Sequence, residues 1–202
     1  MTRPSADRAV IHADESCLGN GMEGSNPGGA ASLVEILNAA EITRYDLYIS
    51  APDTTNNRMA LSGAIATIAL LAERCGRVPF TFVSDSQYLV KGISQWAPGW
   101  RARGWRRKGG QIENLELWKR LVAINDRHEA TWIWVRGHAG HAKNEYANDL
   151  AVRAATEQSI SEGLVGSGFD EWLATRRSRG QFMDYDPNQD AIELGAALEQ
   201  QR

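Results

Sequence analysis

Cysteine is scarce in this chain and long apolar runs are missing. Only Cys17 and Cys75 occur among 202 residues, too few for a disulfide framework and without the paired spacing of a zinc site. Two isolated thiols suit a reducing cytoplasm. The most apolar stretch, Ser62 to Ala72, is roughly half as long as a membrane-spanning helix requires, and the amino terminus lacks the charged-then-apolar order of a secretion signal. A cytoplasmic chain without membrane association is therefore expected. Internal repeats are also missing. So is a charge of one sign: 22 Lys and Arg face 25 Asp and Glu, a formal net charge of -3. That balance alone argues against a polyanionic partner, but its distribution argues the other way. Residues 157 to 202 hold 9 acids and 4 bases, so residues 1 to 156 hold 16 acids and 18 bases. Within the latter, Arg101-Ala-Arg-Gly-Trp-Arg-Arg-Lys108 carries five cations in eight residues, a local patch able to neutralise phosphates.

The patterning that is present is mixed. Ala9 to Ala13, Ala30 to Leu37 and Tyr45 to Ser50 predict three strands of an antiparallel meander, separated by Gly, Asn and Pro turns. Capping residues at Asp53-Thr-Thr-Asn-Asn57 precede an apolar-periodic helix containing Met59, Ile65, Ile68 and Leu71, closed by Gly76. Pro79 to Ser84 predicts a fourth strand, followed by a helix through Tyr88, Val90 and Ile93. A helix over Ile112 to His128, a fifth strand over Ala130 to Val135 and a helix over Ala142 to Thr156 complete the pattern. The expectation is an α/β domain over residues 1 to 156, a five-stranded mixed sheet flanked by helices. Residues 157 to 202 read as an acidic, partly ordered extension. Its one small apolar cluster is Phe169, Trp172 and Leu173, and a weakly amphipathic stretch follows at Ala191 to Leu198.

Asp14 and Asp85 fall at the ends of the first and fourth strands, where side chains converge at the edge of such a sheet. Two carboxylates there suit a hard divalent ion and phosphodiester chemistry, or they cap the following turns. The surrounding motifs decide between these. Asp14-Glu-Ser-Cys-Leu-Gly-Asn20, Thr54-Thr-Asn-Asn-Arg-Met59 and Ser84-Asp-Ser-Gln-Tyr88 resemble, in order and spacing, segments of type 1 ribonuclease H. So do Trp96, Trp100, Gly104 and Trp105 of its basic protrusion, the run Trp132-Ile-Trp-Val-Arg-Gly-His-Ala-Gly-His141, and Asn144-Glu145. The resemblance runs from Val10 to Ala155 and implies a ribonuclease H-like fold. It also implies an endonuclease that hydrolyses the RNA strand of RNA/DNA hybrids, leaving 5'-phosphate and 3'-hydroxyl ends. Two Mg2+ ions would assist, with Mn2+ able to substitute, and the protein would act as a monomer.

The family holds its metals with an Asp, Glu, Asp, Asp set, and this sequence departs from it twice. Ala60 stands where the helix-borne Glu is expected, and Asn148 where the last Asp is expected. One explanation is lost catalysis, leaving a hybrid-binding protein with a degenerate site. A second is relocation: Glu15, next to Asp14, supplies the carboxylate from the strand, as an Asp-Glu pair does in type 2 ribonucleases H, and the Asn148 amide oxygen is a neutral ligand. A third moves the last ligand to Asp149. The expected set is Asp14, Glu15, Asp85 and Asn148, with His138 moving protons. Relocation faces one physical objection, because adjacent residues of a regular strand point to opposite faces. Glu15 is therefore expected to need a strand end or a bulge. For the substrate, the resemblance implies that Asn20, Asn56, Asn57 and Gln87 read RNA 2'-hydroxyls and minor-groove edges, and that Thr55 and Arg58 hold a DNA phosphate. Trp96, Trp100 and Trp105 would grip the DNA strand, and Arg101, Arg103, Arg106, Arg107 and Lys108 its phosphates.

Overall fold

The structure is a computed structural model that describes residues 6–19, 26–39, 41–137 and 139–196. Three long strands, β1 (Arg8–Cys17), β2 (Gly28–Leu37) and β3 (Ile42–Ala51), form the antiparallel meander. Two short strands, β4 (Phe80–Ser84) and β5 (Ala130–Trp134), continue the sheet in parallel from β1. A sixth strand, β6 (Val165–Gly166), pairs antiparallel with β3, giving the order β5-β4-β1-β2-β3-β6. The expectation of five strands is thus one short. At two residues, β6 is too brief to show the alternation by which a strand is recognised in sequence.

Helices cover both faces of the sheet. Helix α1 (Asn56–Cys75) starts where the Thr55 hydroxyl accepts from the Arg58 N–H at 3.3 Å, and it buries Leu61, Ile68 and Leu71. It shares one core with Ile11, Phe80 and Phe82 of the strands and with Trp118 and Leu121 of α4 (Leu115–Asn125). Between β4 and α4, the single helix expected after Ser84 is divided. Helix α2 (Gln87–Lys91) passes into a π-helical turn over Gly92–Trp96 and then α3 (Ala97–Ala102). At the start of that turn a Cβ on Gly92 would sit 2.0 Å from the Trp118 ring, so the indole fits only against a bare backbone.

Helix α5 (Ala142–Glu157) crosses the opposite face against β1 and β2. With both faces covered, every residue of β2 is buried. The residues after α5 continue to cover this face. Phe169 and Leu173 of α6 (Phe169–Ser178) join Leu33, Tyr146 and Leu150 in a second core, and α7 (Pro187–Ala196) sets Ala191 on Val10 and Leu37. Among the described residues, no helix is long and apolar enough to cross a membrane.

Candidate active site

The pairing of β1 explains how two neighbouring carboxylates meet. Toward β2 the ladder runs without a bulge as far as Cys17, but toward β4 it stops at the Ala13–Ser84 pair. Beyond Ala13, one edge of β1 is open. Alternation places Glu15 on the face of Ala13, which packs in the core that includes Ala60 of α1, while Asp14 faces α5. Both then reach across the open edge. Of the two expected devices, a strand end or a bulge, no bulge is present; the end of pairing toward β4 suffices. Ligand oxygens of Asp14, Glu15 and Asp85 all lie within 4.8 Å of one another. Glu15 thus lies on the same face of the sheet as the helix position that carries Ala60.

The electrostatics of this cluster are those of an anionic site. Asp14 is buried, and Asp14 Oδ1 accepts from the Glu15 N–H at 2.7 Å while Oδ2 accepts from Asn144 Nδ2 at 2.9 Å. Burial and then the nearby Asp85 charge push the Asp14 carboxyl up to about 7, against the pull of those two hydrogen bonds. Burial, followed by the charges of Asp14 and Asp85, pushes Glu15 up to about 8, and a hydrogen bond from Ser86 opposes this. Three crowded carboxylates of this kind fit a hard divalent cation, which takes oxygen ligands and relieves their repulsion. Asp85 is held in place from two sides. Trp134 Nε1 donates to its backbone carbonyl at 3.0 Å, and a Cβ on Gly137 would lie 2.2 Å from Asp85 Oδ2. Gly137 therefore admits the loop that leads to α5.

Helix α5 supplies the other wall. Asn148 follows Asn144 by one turn, so it lies on the helix side that faces Asp14, and it is half-buried. Asp149 points elsewhere: its carboxylate accepts from Trp172 Nε1 at 2.8 Å and Arg176 Nη2 at 2.7 Å on α6. His138 and Asn20 lie outside the described residues. Sequence reasoning did not single out Ser86, Trp134, Gly137 or Asn144 as site residues. The spacing of Asn144 and Asn148 was the available signal for the last of these; the others depend on contacts between distant segments.

The candidate substrate residues fall into two groups. Thr55, Asn56, Asn57 and Arg58 form the amino end of α1; Thr55 acts as its cap, and Asn56 Oδ1 is buried without a hydrogen-bond partner among the described residues. Gln87 is exposed at the start of α2, where Oε1 accepts from Lys91 Nζ at 2.8 Å. The second group is the protrusion. Tyr88, Trp96, Trp100 and Trp118 form an aromatic chain with ring centroids 5.7 to 6.0 Å apart from one link to the next. Trp100 and Trp105 pack on the main core, whereas Trp96 is 38% exposed. Arg101, Arg103, Arg106, Arg107 and Lys108 are all exposed, with Arg101 paired to Asp126 and Arg103 Nε donating to the Arg106 carbonyl at 3.4 Å.

Comparison with known proteins agrees with this geometry. Residues 6–156 match the sequence profile of the RNase H family. The Ribonuclease H of Syntrophotalea carbinolica is 42% identical over 155 residues, spanning 76% of this chain and 94% of its own. That of Solibacter usitatus is 40% identical over 155 residues, spanning 76% and 99%. Among solved structures, LC9-RNase H1, described as a type 1 RNase H with the type 2 active-site motif, superposes with a TM-score of 0.77 at 50% identity. The match covers 86% of this chain and 83% of that one. The chain belongs to the ribonuclease H family of endoribonucleases.

Proposed function

We propose that the protein hydrolyses the RNA strand of RNA/DNA hybrids at a site formed by Asp14, Glu15, Asp85 and Asn148, leaving 5'-phosphate and 3'-hydroxyl ends. The observation that carries this reading is the convergence of three carboxylates from β1 and the end of β4 within 4.8 Å. Asp14, Glu15 and Asp85 would hold two divalent ions, Mg2+ or Mn2+, and Asn148 would add a neutral amide oxygen. Bound there, such ions supply an activated water and stabilise charge on the scissile phosphate.

The chain's own residues do the rest. Asn144 and the Glu15 N–H keep the Asp14 carboxylate oriented, Ser86 orients Glu15, and Trp134 fixes the backbone of Asp85. His138 is assigned the proton transfer, from its place in the loop between Gly137 and Gly140. Asn56, with Asn20, Asn57 and Gln87, would read the 2'-hydroxyls and minor-groove edges of the RNA strand. Thr55 and Arg58 hold a DNA phosphate at the amino end of α1. The exposed Trp96 and the cations of residues 101 to 108 grip the DNA strand beyond it. Residues 1 to 156 form the catalytic domain and 157 to 202 an acidic extension. The two free cysteines suit a reducing cytoplasm, where the protein acts as a monomer.

The reading is tested with a labelled 12-base-pair RNA/DNA hybrid in Mg2+ and in Mn2+, comparing the parent with Glu15→Gln. The parent is expected to cleave the RNA strand, and Glu15→Gln to lose on the order of a hundredfold or more in turnover, since it removes a charged ligand. Hybrid binding without cleavage by the parent in either metal would contradict the reading. So would parental turnover in Glu15→Gln.

A further inference from the structure

Lys143 is an unusual residue for the first turn of a helix. Its charge opposes the positive end of the α5 dipole, and its side chain is 1% exposed. Nζ spends its three protons on Glu35 Oε2 at 2.6 Å, Asp190 Oδ2 at 2.9 Å and the Pro187 carbonyl at 2.9 Å. Glu35 is itself fully buried and accepts from Arg44 Nε at 2.9 Å on its other oxygen. The Arg44 guanidinium in turn donates to Asn188 Oδ1 at 2.6 Å. Two cations, one of the sheet and one of α5, thus clamp the start of α7. An apolar side chain would fill the same space at a smaller desolvation cost, so a buried pair of this kind points to registration of elements more than to stability.

What it registers is the wall of the metal site. The cap residue of α5, His141, makes no side-chain capping bond, and the preceding loop carries Gly137 and Gly140, the latter at φ +83°. Among the described residues, no side-chain cap therefore fixes the first turn of α5. Lys143 and Asn144 point about 100° apart around the helix. One is tied to the residues leading into α7, the other to Asp14, and Asn148 follows one turn later.

We infer that α7 is a positioning element of the metal site: through Asp190 and the Pro187 carbonyl it holds Lys143, and so fixes the turn of α5 that presents Asn144 to Asp14 and Asn148 to the metals. This rests on the reading that Asp14, Glu15 and Asn148 are metal ligands. Asp190 and Lys143 touch neither metal nor substrate; they act through Asn144 and Asn148.

The test is a calorimetric titration of the metal-free, full-length protein with MnCl2, with no substrate present. Asp190→Ala is expected to weaken Mn2+ binding on the order of tenfold, the size of effect seen when groups that orient metal ligands are removed. Asp190→Asn, which keeps an oxygen for the ammonium, weakens it less, and it carries the test should Asp190→Ala fail to fold. Val122→Ala thins the core beneath α4, on the face of the sheet opposite α5; it is expected to lower the melting temperature and keep parental Mn2+ affinity. Parental affinity in the Asp190 variants overturns the inference, as does an equal loss of affinity in Val122→Ala. Glu15→Gln in the same titration separates the two levels. If it is impaired while the Asp190 variants are parental, positioning alone fails; if all are parental, the site reading fails and the positioning role with it.

Discussion

At the end of β1, Asp14 and Glu15 reach one point from opposite faces of the sheet because the neighbouring ladder toward β4 has already stopped at Ala13. The three carboxylates of this cluster were legible in the sequence as candidates, Asp14 and Asp85 from their place at strand ends and Glu15 from the resemblance. The manner of their meeting was not, since the end of one ladder and the continuation of the other are set by the partners β4 and β2. Asn144 shows the same limit: its bond to Asp14 joins residues 130 apart in sequence. Charge at the fourth position gives a direct prediction. Asn148→Asp adds a carboxylate on the side of α5 that faces Asp14, so the Mn2+ or Mg2+ concentration for half-maximal cleavage is expected to fall on the order of tenfold. The check is cleavage rate against metal concentration for parent and variant; an unchanged or higher requirement would remove Asn148 from the site.

Elements with a strong period of their own, α1 and β2 among them, were evident from sequence because their burial follows from one-dimensional pattern. Elements shaped by a distant partner were not. The helix expected after Ser84 is interrupted by a π-helical turn where the Trp118 indole closes on Gly92, and β6 exists only because the chain after α5 returns to the edge of β3. Nothing local to Gly92 announces the indole. Replacing it with Ala forces a methyl against the ring, and overpacking of this kind costs about 1–3 kcal/mol. Gly92→Ala is thus expected to lower the melting temperature, measured by thermal unfolding, and to weaken hybrid binding by displacing the protrusion that α2 and α3 carry. An unchanged melting temperature would contradict the proposed fit of Trp118.

Across the whole molecule, charge is divided between surfaces that the net value of -3 conceals. The exposed cations of residues 101 to 108 lie on the protrusion, while of the extension's acids Asp190 pairs with the buried Lys143 and the exposed Asp170 with Arg44. Phe169 and Leu173 of the extension's apolar cluster pack against Leu33 of the sheet and Tyr146 and Leu150 of α5. If Arg103, Arg106 and Arg107 hold phosphates, replacing all three with Ala lowers the slope of log binding constant against log salt by about one for each phosphate no longer neutralised. The check is hybrid affinity over a salt series, and an unaltered slope would make these a solvated charge run. The proposal that Glu15 is a metal ligand is tested most directly by anomalous diffraction from crystals of the full chain soaked in Mn2+. Anomalous density bonded to carboxylate oxygens of Asp14, Glu15 and Asp85 is the predicted result; Mn2+ bound by Asp14 and Asp85 with the Glu15 carboxylate turned away would contradict it.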